Sequence, residues 1–181
     1  MAMKAAALLL ILAAPAVAQP CPKGPDKAPE RAAVIADLQK ATSAQEAAGL
    51  MTEFWMIQMR APDVEAQAML NAAVAQRNQG DLSASIDTLT GLIKRCPDYI
   101  EGYNQRAFDE YLAKNDMAAL ADSNHVLSRA PDHVGALSGK ALVLMRLGRI
   151  VEARKVLETA VKLDPWLPER RLLTSPPGQK L

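Results

Sequence analysis

The side chains in this sequence best suited to chemistry are two histidines, two cysteines and a few paired carboxylates. Metal binding is the first chemistry to test. His125 and His133 stand eight residues apart, a spacing that matches no metal-ligand pattern, and neither a Cys-x-x-Cys nor an acidic cluster joins them. His133 follows Pro131-Asp132 and reads as a solvent-facing or capping residue. Asp63-Val64-Glu65 and Asp109-Glu110 read as helix-start or helix-surface charges. No nucleophile elbow, phosphate loop or dinucleotide glycine pattern occurs. No catalytic residue, metal ligand or cofactor site is assigned, and the chain reads as non-enzymatic.

Charge points away from nucleic acid as well. The 21 Lys+Arg and 20 Asp+Glu nearly balance, and no basic stripe with interleaved aromatics appears. Another protein or a peptide is the expected partner.

The two cysteines depend on compartment. Lys4, the apolar run 5–14 and Ala16-Val17-Ala18 form a positive start, an apolar core and a small-x-small cleavage site. Residues 1–18 therefore read as a signal peptide cut between Ala18 and Gln19. The alternative is a membrane anchor, but ten apolar residues in a helix cover about 15 Å, half of the roughly 30 Å hydrocarbon core. Pro20 directly before Cys21 fits a lipid-modified cysteine badly. The expectation is a periplasmic or secreted protein with no stable membrane anchor after cleavage. In an oxidising compartment Cys21 and Cys96 can pair, closing a long loop worth about 4 kcal/mol in the chain-entropy model. The alternative leaves Cys96 buried at a helix end and Cys21 a free thiol.

The elements that would position any site follow from hydrophobic fraction and period. Half the residues are hydrophobic and only 4% aromatic, with abundant alanine, which suits helices packed closely together. Pro97, Pro131 and Pro165 fall 34 residues apart, each closing a similar phrase. Twenty-eight before each stand bulky Met69, Tyr103 and Leu137; twenty-four before stand Ala73, Ala107 and Ala141. Twelve before stand small Ser85, Ala119 and Ala153; four before stand Ile93, Leu127 and Val161. This describes helical hairpins with turns at Gly80-Asp81, Lys114-Asn115-Asp116 and Gly148-Arg149, each ended by proline. Glycine or asparagine is expected to take the left-handed conformation at those turns.

These residues resemble the tetratricopeptide repeat family over about 66–165. The resemblance implies an all-α, right-handed superhelical solenoid of antiparallel hairpins. Residues 63–165 hold three repeats, at about 66–99, 100–133 and 134–167. The sequence departs from the pattern where an aromatic is expected, at Gln76, Glu110 and Leu144, and where Ser123 replaces the large apolar residue supplied elsewhere by Leu89 and Leu157.

Around the repeats, 19–29 reads as a disordered linker and 30–62 as a degenerate N-terminal hairpin with helices at 30–41 and 44–59. Ser43 and Glu46 propose a capping box for the second helix. Phe54, Trp55, Met56 and Met59 read as a plug against the first repeat, with a docking patch as the alternative. Residues 166–173 form a capping helix and 174–181 a tail.

The resemblance further implies that the first helix of each hairpin lines a concave peptide groove. The side chains expected there are Leu70, Asn71, Val74 and Arg77; Asn104, Gln105, Phe108 and Tyr111; Ser138, Leu142 and Arg146. They offer amides for a peptide backbone, aromatic anchors and two arginines for carboxylates. Leu70, Val74, Ser138 and Leu142 stand where a clamp for a C-terminal carboxylate would want polar groups, so that specificity is not carried over. Two roles remain in view: an envelope adaptor or assembly factor, and a structural subunit that stacks through its terminal helices.

Overall fold

A computed structural model describes residues 21–174. The proposed signal segment, the Ala18–Gln19 cleavage position and tail residues 175–181 lie outside the described residues. All regular structure among the described residues is helical: α1 (Ala28–Leu38), α2 (Ala44–Gln58), α3 (Val64–Asn78), α4 (Leu82–Arg95), α5 (Ile100–Leu112), α6 (Asp116–Arg129), α7 (Val134–Arg146) and α8 (Ile150–Leu163), then a 3-10 helix over Pro168–Leu173.

The period sets the hairpins. Helices α3–α4, α5–α6 and α7–α8 pair within repeats, and the pairs stack in order as a solenoid. Ser85, Ala119 and Ala153 are fully buried, as are Ala73 and Ala141, so paired backbones approach where side chains are smallest. Asp63 and Asp81 accept from the main-chain N–H of Ala66 and Ala84, capping α3 and α4. Each hairpin turn holds one residue at positive φ: Gly80 at 85°, Lys114 at 64° and Gly148 at 75°. The repeat register, rather than residue type, chooses this position. It falls on Lys114 and not on Asn115, although lysine has no intrinsic liking for it.

The N-terminal hairpin departs from its expected place. Of the residues expected to plug the first repeat, Met59 packs there, whereas Phe54 and Trp55 pack elsewhere. Val34, Ile35 and Leu38 of α1 and Phe54 and Ile57 of α2 share a core with Val134, Leu137 and Ala141 of α7 and Leu157 and Ala160 of α8. The start of α2 meets the C-terminal end of the stack, where the Trp166 indole N–H donates to the Ala41 carbonyl at 3.2 Å. From there α2 runs back toward α3, and Met59 and Ala61 pack on the first repeat's core. The hairpin therefore crosses the inter-repeat edge of the whole stack. The first repeat has its own core around Leu70, Leu89 and Leu92, whereas the apolar end of the third repeat is buried under the hairpin.

The expected linker is also tied down from Cys21 onward. Cys21 and Cys96 form a disulfide across a sequence separation of 75. Lys27 donates from Nζ to the carbonyls of Gln58 and Arg60, each at 2.6 Å, capping the C-terminal end of α2. Arg31, buried in α1, pairs with Asp132 at 2.8 Å. The capping box forms at Ser43 and Glu46 and gains a bond from Thr42. Ser43 accepts from Glu46 N–H, and the Glu46 carboxylate reaches Thr42 N–H at 2.8 Å.

Candidate binding cavity

Because α2 crosses the stack, the concave face is walled on one side. A cavity of about 730 Å³ lies between α2, α5 and α7, with the turn after α8 closing one end. The α2 wall carries small residues one turn apart, Ala44, Ala47 and Ala48, followed by Met51, Thr52 and Trp55. The facing wall on α7 is also small, with Gly135, Ala136, Ser138 and Gly139. A Cβ at Gly139 would meet nothing within 4 Å. Ser123 lines the cavity where the other repeats place fully buried Leu89 and Leu157. Its hydroxyl donates to the Ala119 carbonyl at 2.8 Å.

Of the expected groove residues, Arg77, Asn104, Gln105, Phe108, Tyr111, Ser138 and Leu142 line this cavity. Leu70 does not: it is fully buried in the first repeat's core, because the groove-side stripe of α3 shares that face with the contact to α4. Asn71 is exposed beside Gln67, whose side-chain amide donates to it. Val74 and Arg146 lie outside the cavity lining.

The polar groups are already engaged. Arg77 pairs with fully buried Asp109 at 2.9 Å, and the Ser85 hydroxyl reaches the other Asp109 oxygen. Asp109 is thus a buried partner of Arg77, not the surface charge its sequence context suggests. Arg146 pairs with Asp116, donates to the Tyr111 carbonyl and stacks over the Tyr111 ring at 3.9 Å. Each arginine is thus bound to a carboxylate within the fold. Sequence spacing cannot reveal this, since each carboxylate partner lies about a repeat away.

The amides are committed in the same way. Asn104 and Gln105 donate to Oε1 of Glu101 at 2.9 and 2.6 Å. His133 meets Oε2 at 3.1 Å through Nε2, while its Nδ1 accepts from Ala136 N–H and caps α7. An accepting Nδ1 fixes the proton on Nε2, so the imidazole donates to the carboxylate. Burial would push the Glu101 carboxyl up, but hydrogen bonds from His133 and the two amides hold it below the usual carboxylate range. His133 is fully buried, which removes the solvent-facing reading, and Phe54 packs edge-on against its ring at 5.5 Å. His125 is elsewhere, stacked on Tyr103 at 3.8 Å.

The cavity is therefore a largely apolar and aromatic space in which Arg77, Asn104 and Gln105 are bonded within the fold. Its α2 wall and its Trp166 end were missed by sequence reasoning. The small residues Ala44, Ala47 and Ala48 were the available signal, since a helix with an alanine stripe must approach something closely.

Comparison with known proteins agrees with this architecture. Family profiles described as tetratricopeptide repeat match residues 67–99 and 105–166. A TPR repeat-containing protein of Rhizobium etli is 35% identical over 82 residues, 45% of this chain. The chain spans 40% of that relative's length. Among solved structures, MamA 41-end from Desulfovibrio magneticus RS-1 aligns with a TM-score of 0.53 at 18% identity, covering 79% of this chain and 78% of that one. A crystal structure of MamA protein aligns with a TM-score of 0.51 at 17% identity, covering 86% and 81%. At such identities the likeness is one of fold.

Proposed function

We propose that this chain, which carries tetratricopeptide repeats, is an exported, non-enzymatic scaffold that holds a segment of a partner protein between α2 and the concave faces of α5 and α7. The observation that carries the reading is the cavity of about 730 Å³, which falls within the size range of specific binding pockets. Phe108 is 48% exposed at that site, an unusual exposure for a phenylalanine with so few aromatics elsewhere in the chain. Export is supported by the Cys21–Cys96 disulfide, a bond that persists in oxidising compartments, and by the apolar N-terminal segment. Among the described residues no helix is long and apolar enough to cross a membrane. An envelope adaptor or assembly factor is the role these features favour.

The rival role is a subunit stacking through its terminal helices, by the Phe54–Trp55 face or the C-terminal cap. Phe54 is fully buried and Trp55 is turned onto Gly135, while Met56 on the same helix is 62% exposed.

A photoreactive amino acid at position 108 tests the proposal in cells. A crosslinked partner band is expected, and Gly139→Leu, which fills the cavity, is expected to remove it. A band of unchanged intensity in the Gly139→Leu variant would sink the cavity assignment.

A further inference from the structure

Charge at the closed end of the cavity narrows what can occupy it. Asp164 ends α8 and is only 2% exposed, in the register position where the other repeats bury Cys96 and Ala130. One of its carboxylate oxygens accepts from Trp166 N–H at 2.9 Å. An asparagine would make the same turn without burying a charge. The carboxylate also faces the negative end of the α8 dipole, where an acid is disfavoured. No ion pair forms with it among the described residues: Arg170, the nearby cation, donates to the Trp166 carbonyl instead. Burial pushes the Asp164 carboxyl up, against the opposing pull of the Trp166 N–H and the Arg170 charge.

Glu169 and Trp166 line the same end of the cavity. Among the described residues Arg77 is the one lining cation, and it is paired with Asp109. Two carboxylates, Asp164 and Glu169, thus stand at this end against one nearby guanidinium, that of Arg170 over the Trp166 ring at 5.8 Å, and the balance is negative. The remaining space over Ser123 and Gly139 is apolar and unfilled. An α-helix about 10 Å across would occupy the whole volume in less than two turns, so the cavity suits inserted side chains rather than a seated helix.

We infer that the cavity takes a short partner segment carrying a large apolar side chain beside a lysine or arginine, the apolar group over Ser123 and the cation against Asp164 and Glu169. This rests on the cavity being the binding site, and it adds the partner's charge. Acidic segments and free C-terminal carboxylates are disfavoured, since both concave-face arginines are engaged internally.

The test uses labelled Gly–Ser host peptides with a central Phe-Lys, Phe-Gln or Phe-Glu, titrated by fluorescence anisotropy into the folded full chain. The Phe-Lys peptide is expected to bind about tenfold tighter than Phe-Glu, with Phe-Gln between. Asp164→Asn keeps the turn, and Asp164→Asn with Glu169→Gln is expected to collapse that ratio toward one. Glu169→Gln alone serves if the double variant fails to fold. Gly139→Leu is expected to abolish binding of all three. Equal binding of the three peptides, or an unchanged ratio in the variants, overturns the charge inference while leaving the cavity assignment standing. Binding of none, or binding that survives Gly139→Leu, overturns both.

Discussion

The indole of Trp55 lies so close to the backbone of Gly135 that a Cβ there would stand 2.3 Å from Cη2 and 2.9 Å from Cζ2. This contact between α2 and the first turn of α7 holds the N-terminal hairpin across the stack, and it is possible only with glycine. Gly135→Ala sets two effects against each other. Helix propensity favours alanine by about 1 kcal/mol, whereas overpacking costs about 1–3 kcal/mol. The aromatic ring cannot bend away like a flexible chain end, so net destabilisation and a red-shifted tryptophan emission are expected. A more stable variant with unchanged emission would show that the contact does not constrain the hairpin.

Arg77→Ala leaves the fully buried Asp109 carboxylate without its cation. A loss of about 3–5 kcal/mol in chemical denaturation is expected. Arg77→Ala with Asp109→Ala should recover part of it. If the single variant denatures like wild type, Arg77 is a groove residue and not a structural one.

Lys114 is the one described non-glycine residue at positive φ. Lys114→Gly relieves the left-handed penalty of about 1–2 kcal/mol, less the entropy that glycine adds to the unfolded chain. A gain of about 0.5–1 kcal/mol in thermal or urea unfolding is expected. Lys114→Val, with a branched side chain in the same conformation, is expected to lose stability.

Cys21→Ser with Cys96→Ser removes the covalent tie between the N-terminal segment and the end of α4. A loss of about 2–4 kcal/mol is expected. Hydrogen exchange should show faster opening in α1 and α2 than in α3 to α8, because the strap holds the hairpin and not the repeats. Uniform acceleration over all helices would contradict that assignment.

Alkaline pH probes the other half of the strap. Burial pushes the Lys27 ammonium down to about 8 from an ordinary 10.5. Between those values the unfolded chain holds a proton the folded chain has released, so stability rises with pH. Burial pushes the Tyr99 hydroxyl above its ordinary 10.0, so above that pH the folded chain keeps a proton the unfolded chain loses, and stability falls. Urea midpoints are expected to climb from about pH 8 to 10 and then turn over. Lys27→Met should flatten the climb, and an unchanged climb would place its origin elsewhere.

The repeat was legible because it is local. Alternation of bulky and small residues at a fixed period, with a helix stop every 34 residues, needs only near neighbours to be read. Pro97, Pro131 and Pro165 each follow the end of α4, α6 or α8 closely. Leu70 and Val74 show the limit of that reading. They share one helix with Arg77, yet Leu70 belongs to the core, because a helix packed on two sides leaves only a narrow stripe for a ligand.

The sequence by itself determined the all-helical class and the 34-residue period, both consequences of steric and hydrophobic preferences within one repeat. The tertiary structure decided where the N-terminal hairpin docks, which carboxylates hold Arg77 and Arg146, and that Cys21 meets Cys96. Those outcomes join residues far apart in the chain, and apolar stripes of similar composition offer several docking faces. The apolar core shared with the third repeat, the glycine that admits Trp55 and the lysine that caps α2 hold the arrangement that forms.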